Sequence, residues 1–253
     1  MLLRIIQPNW NLLRRKFYYP YRHFDSDSLG ISGPCKGKDS FLYDSFDDLA
    51  VDTYVSDNDP PKRLRRYSQC IVDVGDIHSY KIYLRDHAIF HQNVCDSRGS
   101  PRYFEPIDER TLLSKFLTDL IGQTTALSVL YHSHINCKDV RKSPIRGVKV
   151  DIHQVRQMVY PGHVSTNSPE GIHRDGADCI VSAFVLNRTN ITGGESIVYN
   201  SQKSQIYKTT LQPGLGMFQE DRELYHFVTG VHCQNNRIGY RDIIGLDFTY
   251  VFR

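Results

Sequence analysis

A chain of 253 residues is long enough to bury one sizeable hydrophobic core. Its make-up, 40% apolar, 23% charged and 11% aromatic residues, is that of a globular protein and excludes a fibrous or wholly disordered one. With 31 Lys+Arg against 28 Asp+Glu the net charge is only +3, too little for a phosphate-binding surface, so no nucleic-acid partner is expected.

Residues 1–45 are expected to form an irregular basic arm, because the first 24 hold five Arg or Lys and no Asp or Glu, and a polar, small-residue stretch follows. The opening Met1-Leu2-Leu3-Arg4 is interrupted too early for a signal peptide, and no apolar run approaches the roughly 20 residues that span a bilayer. The six cysteines contain no CxxC pair, which fits reduced thiols and a cytoplasmic location better than a disulfide or zinc framework. Ser56-Asp57-Asn58-Asp59-Pro60-Pro61 marks a turn, and the basic run Lys62-Arg63-Leu64-Arg65-Arg66 reads as a solvated face. Short strands are expected at 71–74 and 80–84.

After Pro106, Asp108 is a suitable N-cap, and Leu112, Leu113, Phe116, Leu117, Leu120 and Ile121 recur at helical spacing, predicting a helix that runs towards Leu130. Beyond residue 148 the pattern changes to strands rich in Val, Ile, Tyr, Phe and Thr, at 149–160, 179–186, 196–199, 206–211, 215–218, 225–228 and 242–251. Many short strands with turn residues between them and no helix indicate an antiparallel sandwich or barrel. The expectation is one domain over 46–253, mainly β with supporting helices, and a jelly-roll core over about 148–253.

Pro169-Glu170-Gly171-Ile172-His173-Arg174-Asp175-Gly176 contains a His-x-Asp between glycines, directly before a strand, and Leu224-Tyr225-His226-Phe227-Val228 supplies a second histidine. Two imidazoles and one carboxylate on one face of an octahedral ion leave the other face open, which suits a non-haem Fe(II) that must accept a co-substrate and O2. His23-Phe24-Asp25, with His78 beyond it, offers a similar spacing, but the segment between is polar and Pro-rich, with nothing rigid to converge the ligands.

These segments, with Gly193-Gly194-Glu195-Ser196, Gly239-Tyr240-Arg241-Asp242-Ile243, Arg65-Arg66-Tyr67-Ser68 and His153-Gln154-Val155-Arg156, resemble the Fe(II)/2-oxoglutarate-dependent dioxygenases that hydroxylate free amino acids, over roughly residues 45–253. The resemblance implies a double-stranded β-helix (a cupin-like jelly roll), iron held by His173, Asp175 and His226, and 2-oxoglutarate as co-substrate. The far carboxylate of 2-oxoglutarate then needs a guanidinium, for which Arg241 on the expected last strand is preferred over Arg237 in a Gly/Asn-rich loop. Arg156, Arg174 and Glu170 are candidates for contacting a small-molecule amino acid substrate. Desaturation or cyclisation of an amino-acid-derived metabolite, and a non-catalytic jelly-roll binding module, are the alternatives.

Overall fold

Side-chain alternation along three long strands organises the structure. The computed structural model describes the chain except residues 17–18, 34–39, 56–59, 61, 87, 92, 95–96, 99, 137–140, 142–143, 167, 169 and 253. In chain order, β1 (Leu2–Ile6), α1 (Trp10–Lys16), β2 (Tyr21–Asp25) and α2 (Ser40–Asp44) precede β3 (Arg63–Asp73) and β4 (Tyr80–Arg85). The two-residue strands β5 (Asn93–Val94) and β6 (Ser97–Arg98) and the helices α3 (Glu109–Leu112) and α4 (Lys115–Ile135) follow. Next come β7 (Ile145–Val159), β8 (Val164–Ser165), β9 (Cys179–Thr189), β10 (Ile191–Gly193), β11 (Ser196–Tyr199) and β12 (Gln205–Thr209). The chain ends with β13 (Leu215–Glu220), β14 (Tyr225–Val228), β15 (Val231–Cys233) and β16 (Gly239–Phe252).

Eight strands form the major antiparallel sheet in the order β1-β4-β3-β7-β16-β9-β13-β2, and β10-β15-β8 and β12-β11-β14 form two three-stranded sheets. On β3, β7 and β16 the even positions over 70–72, 148–152 and 244–248 are apolar. Cys70 pairs with Val150, Val72 with Val148, and Ile152 with Leu246, all fully buried. This face packs on α4 through Phe116, Leu117, Leu120 and Ile121. Odd positions of the same strands face the other way and mix charge with apolar residues: Arg65 pairs with Val155 and Val155 with Ile243, while Tyr67 pairs with His153 and His153 with Gly245. A second apolar cluster of Val155, Val185, Val198, Met217 and Ile243 fills the interior of the roll. The mainly-β, helix-supported jelly roll expected from the strand pattern is the observed architecture, with β3 extending its major sheet beyond the predicted core.

Three expectations need correction. The first 45 residues are not wholly irregular, because β1 pairs with β4 and β2 with β13, closing the two edges of the major sheet. Their charges obscured this: Arg4 sits on an edge strand, where charge is tolerated, and donates to Thr118 at 2.8 Å, while Ile6 and Phe24 enter the core. The basic run at 62–66 is not a solvated face. It opens β3, and Arg65 is buried. The helix after Asp108 is two helices. Asp108 caps α3, accepting from the Arg110 N–H at 2.9 Å, and Ser114 interrupts it and caps α4, accepting from Leu117 at 3.2 Å.

Cys70, Cys179 and Cys233 are free thiols, while Cys35, Cys95 and Cys137 and most of the turn at 56–61 lie outside the described residues. Among the described residues no helix is long and apolar enough to cross a membrane.

Candidate metal centre and co-substrate site

His226 lies on β14, which pairs with β11, and His173 forms an isolated antiparallel bridge with it. The His173 N–H donates to the His226 carbonyl at 3.1 Å and the His226 N–H to that of His173 at 2.9 Å. The imidazoles therefore project from one side of one strand pair, their centroids 4.3 Å apart. Asp175, two residues beyond His173, projects towards the same point, with Oδ1 3.6 Å from His173 Nε2 and Oδ2 3.4 Å from His226 Nε2. One ligand atom from each residue lies within 4.8 Å of the other two.

The surrounding groups set the histidine tautomers. The Gly171 carbonyl takes the Nδ1–H of His173 at 2.8 Å, which leaves Nε2 as a lone pair facing Asp175. Nδ1 of His226 is 3.2 Å from the Gln219 amide, whose oxygen is otherwise buried without a partner. Turned so that this oxygen accepts the Nδ1–H, Gln219 holds His226 in the same tautomer. Burial lowers the His226 pKa to about 4, so the ring is neutral at physiological pH, as a ligand must be. Asp221 accepts the backbone N–H groups of Gly176 (2.7 Å) and Ala177 (3.1 Å), fixing the turn that aims Asp175. Burial and then the Asp175 charge raise the Asp221 pKa to about 9.

Arg241 occupies the inner face of β16 in a row of directly paired residues, Arg63 with Gln157, Gln157 with Arg241 and Arg241 with Arg188. It is 1% exposed, donates to Gln157 Oε1 at 2.9 Å, and has no carboxylate partner among the described residues. Its Nε is buried and unpaired. Burial, and then the neighbouring Arg188, lower its pKa to about 10. A fully buried guanidinium without an anion is costly unless a ligand supplies one. The space beside it depends on Gly194 (φ +70°), where a Cβ would come within 3.2 Å of Arg241 Nη1. Arg237, the rejected alternative, lies on an exposed turn.

A cavity of about 350 Å³ lies beside the His173, Asp175 and His226 cluster, lined also by Val155, Ile243 and Glu170. Glu170 Oε1 stands 3.3 Å from His173 Nε2 on a partly exposed side chain, so this candidate is at the site. Arg156 and Arg174 are not. Arg156 has the even parity of β7, so it faces away from the cavity and is held by Asp242 (2.6 and 2.9 Å) and Asp47. Arg174, between two inward-pointing ligand residues, turns outward onto the Arg222 carbonyl and over the Tyr225 ring at 4.7 Å. The spare pair also separates: His23 Nδ1 bonds the Tyr207 hydroxyl at 2.7 Å on the outermost strand β2, and Asp25 accepts from the Ser28 N–H. Arg65 and His153, quoted only within resemblance motifs, and Gln157, Gln219, Asp221 and Asp247 surround the site without having been expected there as site residues. Strand parity pointed to Arg65, His153 and Gln157, since they share a face with Arg241. No local pattern marks the others.

A family model described as 2OG-Fe dioxygenase matches residues 43–247. The chain belongs to the 2OG-Fe dioxygenase family. Its cofactors are accordingly those of that family, Fe(II), 2-oxoglutarate and O2. Among curated proteins, L-isoleucine-4-hydroxylase from Bacillus thuringiensis is 24% identical over 156 residues, and the aligned region spans 61% of this chain and 61% of that relative. The crystal structure of a BsmA homologue from Methylobium petroleophilum superposes with a TM-score of 0.77 at 19% identity, covering 96% of this chain and 93% of the other. IDO from Bacillus thuringiensis gives a TM-score of 0.67 at 18% identity, covering 95% and 94%. At these identities the two structures bear on the fold alone, which they share.

Proposed function

We propose that this chain is an Fe(II)- and 2-oxoglutarate-dependent oxygenase that hydroxylates an aliphatic C–H of a free L-amino acid or a close relative. The observation that carries this reading is the pairing of the His173/Asp175/His226 cluster with a buried guanidinium, Arg241, that has no carboxylate partner among the described residues. The two are joined through one sheet face, because Ile243, two residues from Arg241, lines the cavity beside the cluster. A relative that is an L-isoleucine-4-hydroxylase supports the amino acid class.

In this reading His173, Asp175 and His226 would hold the iron. Arg241 holds the far carboxylate of 2-oxoglutarate, with Gln157 fixing the guanidinium in place. With O2, the bound iron and 2-oxoglutarate supply an oxidant strong enough to break an aliphatic C–H bond, with release of succinate and CO2. The chain's own work is positional. Gly171 and Gln219 set the ligand tautomers, Asp221 sets the aim of Asp175, and Val155 and Ile243 keep one wall of the cavity apolar.

The test is a panel of free L-amino acids incubated with the protein, Fe(II), ascorbate and 2-oxoglutarate, with succinate and substrate mass followed together. A gain of one oxygen in one amino acid, stoichiometric with succinate, is expected. A loss of two hydrogens instead would indicate desaturation or cyclisation, and unchanged masses throughout would reject the amino acid class.

A further inference from the structure

The cavity wall formed by the start of β3 and by the bridge between Phe90 and Arg102 is cationic. Arg63, Arg65 and Arg102 all line the cavity. Asp52, fully buried, accepts from Arg63 Nε at 2.7 Å and lies 3.9 Å from Arg65 Nη1. Arg65 is 8% exposed, places one Nη on His153 Nδ1, and keeps a buried Nε without a partner. Its guanidinium lies against the rings of Phe90 (4.9 Å) and Phe104 (4.4 Å). Arg102 is anchored by two backbone hydrogen bonds to Phe90, sits 5.7 Å from the Tyr54 ring, and pairs with no carboxylate among the described residues. Arg65 and Arg102 thus have no carboxylate in hydrogen-bonding contact among the described residues. Burial, followed by the Arg63 charge, lowers the Arg65 pKa to about 10 despite the opposing pull of Asp52 and Asp247. The other acids at the cavity are Glu170 beside His173, Asp175 in the metal-ligand cluster, and Asp247, which bonds the far nitrogen of His153 at 2.9 Å and offsets part of the Arg65 charge.

We propose that Arg65 and Arg102 form the subsite for a carboxylate of the organic substrate, whose ammonium end faces Glu170. The substrate class is then a small zwitterion, bound with its carboxylate against β3 and its aliphatic carbons directed at the metal cluster. Guanidinium groups flanked by aromatic rings present a planar donor edge, which a planar two-oxygen anion matches. The subsite is separate from that of 2-oxoglutarate, because Arg65 sits on β3, with β7 between it and Arg241 on β16. This inference rests on the oxygenase reading.

The experiment uses the full chain with Fe(II) and 2-oxoglutarate under anaerobic conditions, followed by its visible charge-transfer band and its Tm. The aliphatic L-amino acids are titrated, each beside its C-terminal amide and the alkyl phosphate of matching length. At least one free acid should perturb the band and raise Tm, with its amide and the phosphate binding at least about ten-fold more weakly. Arg65→Gln and Arg102→Gln should each weaken the acid about ten-fold or more while leaving the weak affinity for the amide and the 2-oxoglutarate band unchanged. Arg102 is only half-buried, so its variant stays informative if Arg65→Gln fails to fold. Equal binding of acid and amide, tighter binding of the phosphate, acid binding that ignores both variants, or no acid binding beside a normal band would each overturn the subsite. Absence of the band from folded wild-type protein would instead overturn the oxygenase reading, and the subsite with it.

Discussion

His173 and His226 exchange both of their backbone hydrogen bonds although more than fifty residues separate them, so this isolated bridge onto β14 sets the distance between the two imidazoles. The third ligand candidate, Asp175, lies two residues beyond this bridge, in the turn that Asp221 holds through the Gly176 and Ala177 N–H groups, while Arg174 points away onto the Arg222 carbonyl. A site built on paired strands is rigid before any metal arrives.

Arg241 should bind the co-substrate at a cost to the empty protein. Arg241→Met is expected to weaken 2-oxoglutarate binding by about ten- to a hundred-fold, the worth of a charge-assisted bond of about 1.5–3 kcal/mol, while leaving metal affinity intact. The same variant should unfold at an equal or higher temperature than wild type without 2-oxoglutarate, because it removes a buried cation with no counter-charge. Calorimetry with and without 2-oxoglutarate checks both halves. Loss of stability in the ligand-free variant would mean that Arg241 has a structural partner after all.

Gln219 should act through His226. Gln219→Leu removes the acceptor for Nδ1–H, and a loss of about ten- to a hundred-fold in Fe(II) affinity is expected, with 2-oxoglutarate affinity for the fully metal-loaded protein unchanged. Metal titration at fixed pH measures this. A variant with wild-type metal affinity would show that the His226 tautomer is set elsewhere.

His153 should leave a pH signature. Burial, and then the Arg65 charge, lower its pKa from the ordinary 6.5 to about 3. The unfolded chain therefore binds a proton that the folded chain refuses, and stability is lost as pH falls from about 6.5 towards 3. Relative to His153→Gln, the wild-type protein should lose up to about 1.4 kcal/mol for each pH unit across that window and nothing above it. Denaturant unfolding of both proteins at several pH values reads the difference. A flat difference profile would mean that His153 titrates normally.

Arg156 should matter for folding alone. Removing it leaves the buried Asp242 without its bidentate partner, so Arg156→Met should cost about 3–5 kcal/mol of stability. Substrate and 2-oxoglutarate affinities of the folded variant should be unchanged. A raised KM at unchanged stability would return Arg156 to the substrate site.

Much of this was legible in the chain, and the rest was hidden for identifiable reasons. The strands after residue 148 announce themselves because each has a buried face and turn residues at its ends. The His173/Asp175/His226 set stood out because its segments carry glycines and a following strand, which the His23/Asp25 pair lacks. Arg156 was misjudged by position along the chain. The apolar even residues Val148, Val150 and Ile152 already assign position 156 to the helix-packed face and 153, 155 and 157 to the interior. The strands of the N-terminal segment were concealed because edge strands tolerate charge, and Arg63 and Arg65 because a basic run looks the same on a surface and against a cavity wall. Gln219 and Asp221 act through contacts across the roll, which no local spacing encodes.

The most direct test of the central claim is anaerobic titration of Fe(II) and 2-oxoglutarate into the wild-type chain and into the Asp175→Ala and His226→Ala variants, followed in the visible spectrum. A weak charge-transfer band that saturates at one iron per wild-type chain, and is absent from both folded variants, is the predicted result. A band of equal strength in either variant, or none in the folded wild-type protein, would contradict an iron site built from His173, Asp175 and His226.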